Sequence, residues 1–465
     1  MLRYVCISDL HAGAPTSLLM NLPEDGAIRP PEPSPVTHGF VDVVNALLGV
    51  QDKPQLILLG DVLDLQFSDR THAYHNAQGF LTRLHDSGCF ADKVIATAGN
   101  HDHAFWTDAR LALDVAGMSS NGVTYRNATP AFHDAPNARS RMLDALVKDA
   151  GFGDVDLRYP NIGFEKDGRA VLFHHGHFFE EGYLLISTLR DIFSSGDRAE
   201  LTVADIAGEN AGWIDFFWST IGDAGLSSNA SDLYQNLLTS TGFRKLSAQV
   251  AEIVSAEMGE KLPLAGDLRV QEVLRIATRV LLDATVGKYR DTERFAVIES
   301  LTTKGRDGFA SFIGGPIRRQ IMDELGHVPE DLTVIFGHTH KPFSERMKVS
   351  GFDVPLKVYN TGGWVLNDPR LDTKEGAAMV LIDDDLNVVA LRLFMTPQAG
   401  IVPLAYLEVL SEPRVSMQAF VKDLQARLAT PDMQRILSDF AETVRVAYVD
   451  RQAVLLDLTA QGVSS

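Results

Sequence analysis

Three short apolar runs, YVCIS at 4–8, QLILLG at 55–60 and KVIATAG at 93–99, are separated by stretches with helical spacing. HGFVDVVNALLG (38–49) is the first such stretch, and residues 73–87 form the second. Strands that alternate with helices pair in parallel, because the chain needs a long crossover to return in the same direction. A continuous apolar run also has both of its faces covered. The pattern therefore predicts an α/β body around a parallel sheet covered on both faces. The segment 12–37 breaks the pattern: it is proline-rich, lacks a clear period, and is longer than an ordinary connection. It predicts a functional loop or partial disorder.

NIGFEKDGRAVLFHH (161–175) is a hairpin pattern with Asp167-Gly168 at its turn. From about 180 to 330 the strand signals nearly vanish. FRKLSAQVAEIVSAEMG (243–259) and RVQEVLRIATRVLLDAT (269–285) have helical spacing instead. Strand character resumes at LTVIFG (332–337) and KVYNTGGWV (357–365), followed by a second hairpin pattern, AAMVLIDDDLNVVALRLF (377–394), around Asp384-Asp385. The tail reads as two amphipathic helices, with FVKDLQARLA (420–429) and MQRILSDFAETVRVAY (433–448). The simplest organisation is one core built from 1–178 and 331–398. A helical insertion or cap, 179–330, interrupts it, and a C-terminal helical extension, 399–465, packs on it.

Cys6 and Cys89 are the only cysteines and lie in or beside apolar stretches, which reads as burial rather than a disulfide framework. No uninterrupted apolar segment approaches the ~20 residues of a membrane span, and the start carries no secretion signal, so the cytoplasm is the expected compartment. Net charge is −19, from 42 Lys+Arg against 61 Asp+Glu. That balance argues against nucleic acid as a partner while leaving room for a small anionic substrate, because bound cations reverse the sign locally.

Five short pieces carry polar side chains directly after apolar runs. SDLHAG supplies Asp9 and His11, which share a side if the strand continues through them. LLGDVLD supplies Asp61 and Asp64, the latter one turn further on if a helix begins there. TAGNHDH gives Asn100, His101 and Asp102, FHHGH gives His174, His175 and His177, and FGHTHK gives His338 and His340. Loops at the carboxyl ends of strands are where open sheets build sites. A mixture of carboxylate, imidazole and amide, without thiolate, suits Mn²⁺, Zn²⁺ or Fe and is too nitrogen-rich for a dedicated Mg²⁺ or Ca²⁺ cage.

The order DLH, GDVLD, GNHD, HG and GHTH resembles that of the calcineurin-like metallophosphoesterases, over about 1–178 and 330–395. The resemblance implies a four-layer α/β/β/α sandwich with a large, mainly helical insertion. It also implies two divalent transition ions, Mn²⁺ first with Zn²⁺ or Fe as alternatives. One ion would be held by Asp9, His11, Asp61 and His340, the other by Asp61, Asn100, His175 and His338, with Asp61 bridging. His101 would lie beside the transferring phosphoryl group and either stabilise charge or protonate the leaving oxygen, with Asp64 or Asp102 orienting its ring and favouring the protonated form. The family ligand is the histidine directly before the glycine, here His175. On a regular strand His174 points to the opposite face and reads as a packed or hydrogen-bonded core histidine, whereas His177 shares the parity of His175 and is either a further contact to metal or substrate or a residue of the pocket rim.

The implied activity is hydrolysis of a phosphoester or pyrophosphate on a small molecule or lipid head group by metal-activated water. A phosphoprotein phosphatase or nuclease is the alternative, and a non-catalytic scaffold a more distant one. The GNHD…HG…GHTH pattern followed by YNTGGWV is similar to that of bacterial UDP-2,3-diacylglucosamine pyrophosphatases. The chain departs from them in HGH, where they have HG followed by aspartate, and in the insertion. Trp213, Phe216, Phe217 and Trp218 either bury the insertion against the body or line a lid. His103, Phe105 and Trp106 are candidates for a further part of the pocket wall.

Overall fold

The structure, a computed structural model, describes residues 1–21, 32–66, 68–119, 127–133, 138–193, 200–219, 299–367, 374–410 and 412–463. The helical windows expected at 243–259 and 269–285, and part of the proline-rich segment, lie outside these. The strands are β1 (Leu2–Ile7), β2 (Gln55–Leu59), β3 (Lys93–Thr97), β4 (Asp154–Leu157), β5 (Asn161–Lys166) and β6 (Arg169–His174). They continue with β7 (Asp331–Phe336), β8 (Phe343–Met347), β9 (Leu356–Asn360), β10 (Gly376–Asp383), β11 (Val388–Met395) and β12 (Tyr406–Glu408).

Two mixed sheets result. The first has the order β12-β11-β10-β1-β2-β3-β4, and the second β5-β6-β7-β9-β8. The β1 to β4 strands are parallel, as the alternation predicts, but β10 closes their open side antiparallel to β1. In the second sheet β6, β7 and β9 are parallel, with antiparallel strands at the edges.

The apolar strand runs are explained by two different coverings, helices on one face and the other sheet on the opposite face. Side chains alternate along a strand, and here alternate residues enter different cores. Cys6, Ile57, Leu59 and Ile95 meet Val171, Phe173, Ile335 and Tyr359 of the other sheet. Their neighbours Val5, Ile7, Leu58 and Val94 pack in a second cluster with Val44, Leu47, Leu81 and Leu84 of the helices Pro35–Asp52 and Arg70–Asp86. On the second sheet Leu172, Val334 and Phe336 face Phe309, Phe312 and Ile313 in the same way. The layers run helix, sheet, sheet, helix.

Local signals start the helices where the crossovers need them. Ser34 accepts the Thr37 N–H at 3.1 Å ahead of Pro35, and Asp69 accepts the His72 N–H at 2.9 Å. Asp167 and Gly168 turn the β5–β6 hairpin with φ of 52° and 74°. Between β6 and β7 the described residues form only helical segments, among them Val203–Ile214 and Thr303–Phe312. The helices Val415–Leu428 and Pro431–Val463 lie along Pro35–Asp52, where Arg427 Nη1 reaches Asp52 Oδ2 at 2.7 Å. Cys6 and Cys89 are both buried and free. Among the described residues no helix is long and apolar enough to cross a membrane.

Candidate metal centre

Because β1, β2 and β3 are parallel neighbours, their carboxyl ends carry Asp9 and His11, Asp61 and Asp64, and Asn100 and His101 side by side. The parallel pair β6–β7 delivers His175, His338 and His340 from the second sheet. All of these side chains are buried. The backbone that aims them is not strand. β1 stops at Ile7, and Asp9 (φ 53°) and His11 (φ 47°) are left-handed, as are Asp61 (52°), His338 (70°) and His340 (58°). The shared side expected from a continuing strand is therefore replaced by two left-handed residues, one on each side of Leu10. No helix begins at Asp61 either, and Asp64 lies in an irregular turn. Left-handed non-glycine residues cost free energy and persist where the surroundings over-determine them, commonly at functional sites. The glycines of the motifs allow the approach: a Cβ on Gly99 would overlap Asp61 Oδ1, and one on Gly337 would overlap Asp9 Oδ2.

Two triads of donors converge, Asp9, His11 and His340 in one and Asp61, His175 and His338 in the other. His11 Nε2 and His340 Nε2 are 3.0 Å apart, with His340 Nε2 at 3.4 Å from Asp9 Oδ1 and His11 Nε2 at 3.6 Å from Asp61 Oδ2. His175 Nε2 is 3.2 Å from Asp61 Oδ2 and 3.1 Å from Asn100 Oδ1. The opposite ring nitrogens show which tautomers are present. His11 Nδ1 meets Asp64 Oδ2 at 2.9 Å, His340 Nδ1 meets Asn367 Oδ1 at 3.0 Å, and His175 Nδ1 meets the Leu59 carbonyl at 2.9 Å. Each partner is an acceptor, so each Nδ1 carries a proton and each Nε2 is the nitrogen that faces the shared centre, where it offers a lone pair whenever the ring is neutral. His338 is reversed: Nε2 donates to Glu180 Oε1 at 2.7 Å, so the lone pair sits on Nδ1. Inward lone pairs beside carboxylate oxygens form a cation-binding set, and the donor types fit the ions expected from the sequence.

A third cluster, His11, Asp64 and His101, overlaps the first. Asp64 accepts from His11 Nδ1 with one oxygen and faces His101 Nδ1 at 3.3 Å with the other. It therefore links the two rings. Asp102, the other carboxylate expected to orient His101, is taken up by backbone: it accepts N–H groups of Asp61 (3.2 Å), Val62 (2.7 Å), Leu63 (3.3 Å) and Gly99 (2.7 Å). It fastens the turn after β2 to the loop after β3, and the carboxylate at the His101 ring is Asp64.

Buried charges set the protonation pattern. Burial would raise the Asp61 carboxyl, but His175 and His101 outweigh it and hold it well below the ordinary range. Burial also opposes charge on His175, yet Asp61 pushes that ring up to about 9. Burial wins at His101, which lies below its usual value despite Asp64 and Asp61. Burial and the Asp61 charge push Asp102 up to about 6.

The other histidines separate by environment. His174 Nδ1 bonds the Pro160 carbonyl at 3.1 Å, its ring packs on Phe178 and Phe312, and burial takes its pKa down to about 3. His177 is buried, with Nε2 at 3.4 Å from the Tyr159 hydroxyl and its ring centroid 5.6 Å from that of His175. Trp106 and Phe105 are buried, and Trp106 stacks on Tyr159 at 4.8 Å, so both belong to the core rather than to a pocket wall. Trp213 donates Nε1–H to the Gly182 carbonyl at 2.8 Å. Trp218 packs on Tyr183, whose ring lies 5.2 Å from that of His338. Glu180 and Asn367 were not legible in the sequence, since neither belongs to a motif and each acts only through the histidine it touches.

A family model described as calcineurin-like phosphoesterase matches residues 2–236, just over half of the chain. The chain belongs to the calcineurin-like phosphoesterases. As a member it is a metal-dependent phosphoester hydrolase with two candidate metal-binding triads. No curated protein matches the chain. The matched span ends before β7, yet β7 carries His338 and His340 into this phosphoesterase's centre beside Asp61 and Asp9. The fold completes a constellation that the matched segment holds only in part.

Proposed function

We propose that this phosphoesterase binds two divalent transition ions, Mn²⁺ in preference to Zn²⁺ or Fe. It hydrolyses a phosphoester or pyrophosphate bond on a small molecule or lipid head group. The observation that carries the reading is the set of imidazole lone pairs, fixed inward by an acceptor behind each ring, around the Asp61 and Asp9 carboxylates. Asp9, His11, Asp61 and His340 would hold one ion. Asp61, Asn100, His175 and His338 would hold the other, with Asp61 shared. When bound, such a pair activates water and neutralises charge on phosphate oxygens.

The chain's own residues do the rest. Asp61 Oδ1 accepts the His101 N–H at 2.8 Å, which places the His101 ring beside the shared carboxylate. Asp64 holds that ring through Nδ1, directing Nε2 to the leaving oxygen as proton donor. Burial lowers the His101 pKa against the pull of Asp64 and Asp61, so the proton it would donate is one taken up from solvent or carried in by the substrate. Asp102 keeps the Asp61 and Asn100 loops in register.

Segments 1–178 and 331–398 form the catalytic core, 179–330 a cap and 399–465 a supporting extension, with the cytoplasm as working compartment. A fully buried centre and a net charge of −19 favour a small phosphorylated or pyrophosphate-linked substrate over a phosphoprotein or nucleic acid. The test is a screen of Mn²⁺-reconstituted protein against aryl phosphate monoesters, diesters and pyrophosphate-linked lipid head groups. Turnover abolished by chelation and by Asp61→Asn is the expected result. Turnover that survives both would reject the reading.

A further inference from the structure

Among the described residues, the connection that leaves the core after β6 meets the core again beside His101. Helix Val203–Ile214 runs into a π-helical turn, Asp215–Ser219, and this turn is bonded to the loop that carries Asn100 and His101. Asp215 Oδ1 accepts from His103 Nδ1 at 2.7 Å, and Asp215 Oδ2 accepts from the Thr107 hydroxyl at 2.6 Å. Ser219 Oγ donates to the His101 carbonyl at 3.3 Å and accepts the Ala104 N–H at 3.2 Å. Residues four apart share one face of a helical turn, and here that face grips the backbone on both sides of Asp102. His103 is held at both nitrogens, since the Tyr159 hydroxyl donates to its Nε2 at 3.0 Å. The two ends of His101 are thus fixed from different parts of the molecule. Its N–H is bound to Asp61 in the metal centre, and its carbonyl to Ser219 in the connection.

We propose that Asp215 and Ser219 are positioning residues: a latch through which the β6–β7 connection sets the alignment of His101 toward the leaving oxygen. These contacts are made to the 101–107 backbone, His103 and Thr107, and the two residues act on His101 through them. Positioned groups lose much of their effect when displaced by about 1 Å, and a turn bonded to the backbone of the proton donor itself controls that displacement. The proposal rests on the reading of His101 as proton donor, so its test must separate the two.

The experiment compares 4-nitrophenyl phosphate, whose leaving group needs little protonation, with phenyl phosphate, whose leaving group needs more. It uses full-length Mn²⁺-loaded protein. Ser219→Ala and Asp215→Ala should lower kcat on phenyl phosphate roughly tenfold more than on 4-nitrophenyl phosphate, the scale of coupling between residues in contact. KM and metal content should be unchanged. Ser219→Thr, which keeps the hydroxyl, should restore kcat, and neither alanine variant should cost further activity in a His101→Ala background. Should Asp215→Ala fail to fold, Asp215→Asn keeps an acceptor for His103 and should show the same substrate pattern with a smaller loss. Equal losses on both substrates, or losses that add to that of His101→Ala, would overturn the latch. If His101→Ala itself depresses both substrates equally, the proton-donor reading fails. The latch is then judged by the double-mutant cycle alone, where additivity overturns it.

Discussion

The two halves of the centre are braced differently. The Asp9–His11–His340 half has its imidazoles backed by Asp64 and Asn367, both from strand-end loops of the α/β body. The Asp61–His175–His338 half is backed by the Leu59 carbonyl on one side and by Glu180 on the other. Glu180 lies just past β6, where the chain sets out into the helical connection. The hydrogen bonds given for the first half come from the sheets and their loops, whereas the second half also draws on the start of the insertion through Glu180. Metal binding at the second half would therefore be a joint property of core and insertion.

The comparison breaks most severely at Asp61, which belongs to both halves. Asp61→Asn should give the largest loss of any single ligand substitution, with both ions weakened, because the remaining cations would be less compensated. Full occupancy by elemental analysis together with full activity would show that the halves do not share this carboxylate. Next in size is His101, which belongs to neither. His101→Ala should lower kcat roughly 10²–10⁴-fold, as for a positioned proton-transfer group, and leave metal content intact. Parallel loss of metal would place it in the coordination set instead.

Glu180→Gln sharpens the difference directly. Partners behind a metal-bound histidine typically change affinity by about 10–100-fold, and here the weakening should fall on one ion of the two, read by competitive metal titration. Equal weakening of both would erase the asymmetry. The smallest effect concerns protons. In the metal-free protein the Asp61 charge, against burial, holds His175 protonated up to about pH 9. An ion entering that half must displace this proton, so its affinity should rise as pH climbs from 7 toward 9 and level off above that. Calorimetry in buffers of different ionisation enthalpy would count the proton released. A pH-independent affinity would mean that His175 is not a ligand.

The asymmetry also separates what the sequence could reveal from what it could not. Asp9, Asp61, Asn100, His175, His338 and His340 were legible because each follows an apolar run, and parallel pairing of those runs stacks their ends together. The direction of Asp9 and His11 was not legible, since alternation along a strand says nothing once the backbone turns left-handed at φ of 53° and 47°. Asp102 looked like a partner for its neighbour His101, but a short carboxylate at a turn also satisfies backbone N–H groups, and here four of them claim it. Glu180, Asn367, Asp215 and Ser219 carry no local signal. Their roles arise only when segments distant in sequence meet. His174 could be separated from His175 by strand parity, and its burial against Phe178 and Phe312 gives that separation a physical reason.

The most direct test of the account is the number of ions held per chain. Protein stripped with chelator, reconstituted with Mn²⁺ and freed of excess metal should hold two ions by elemental analysis. His11→Ala and His175→Ala should each retain one, at different sites. A single ion, or none, in the unsubstituted protein would contradict the dinuclear centre on which the proposed chemistry depends.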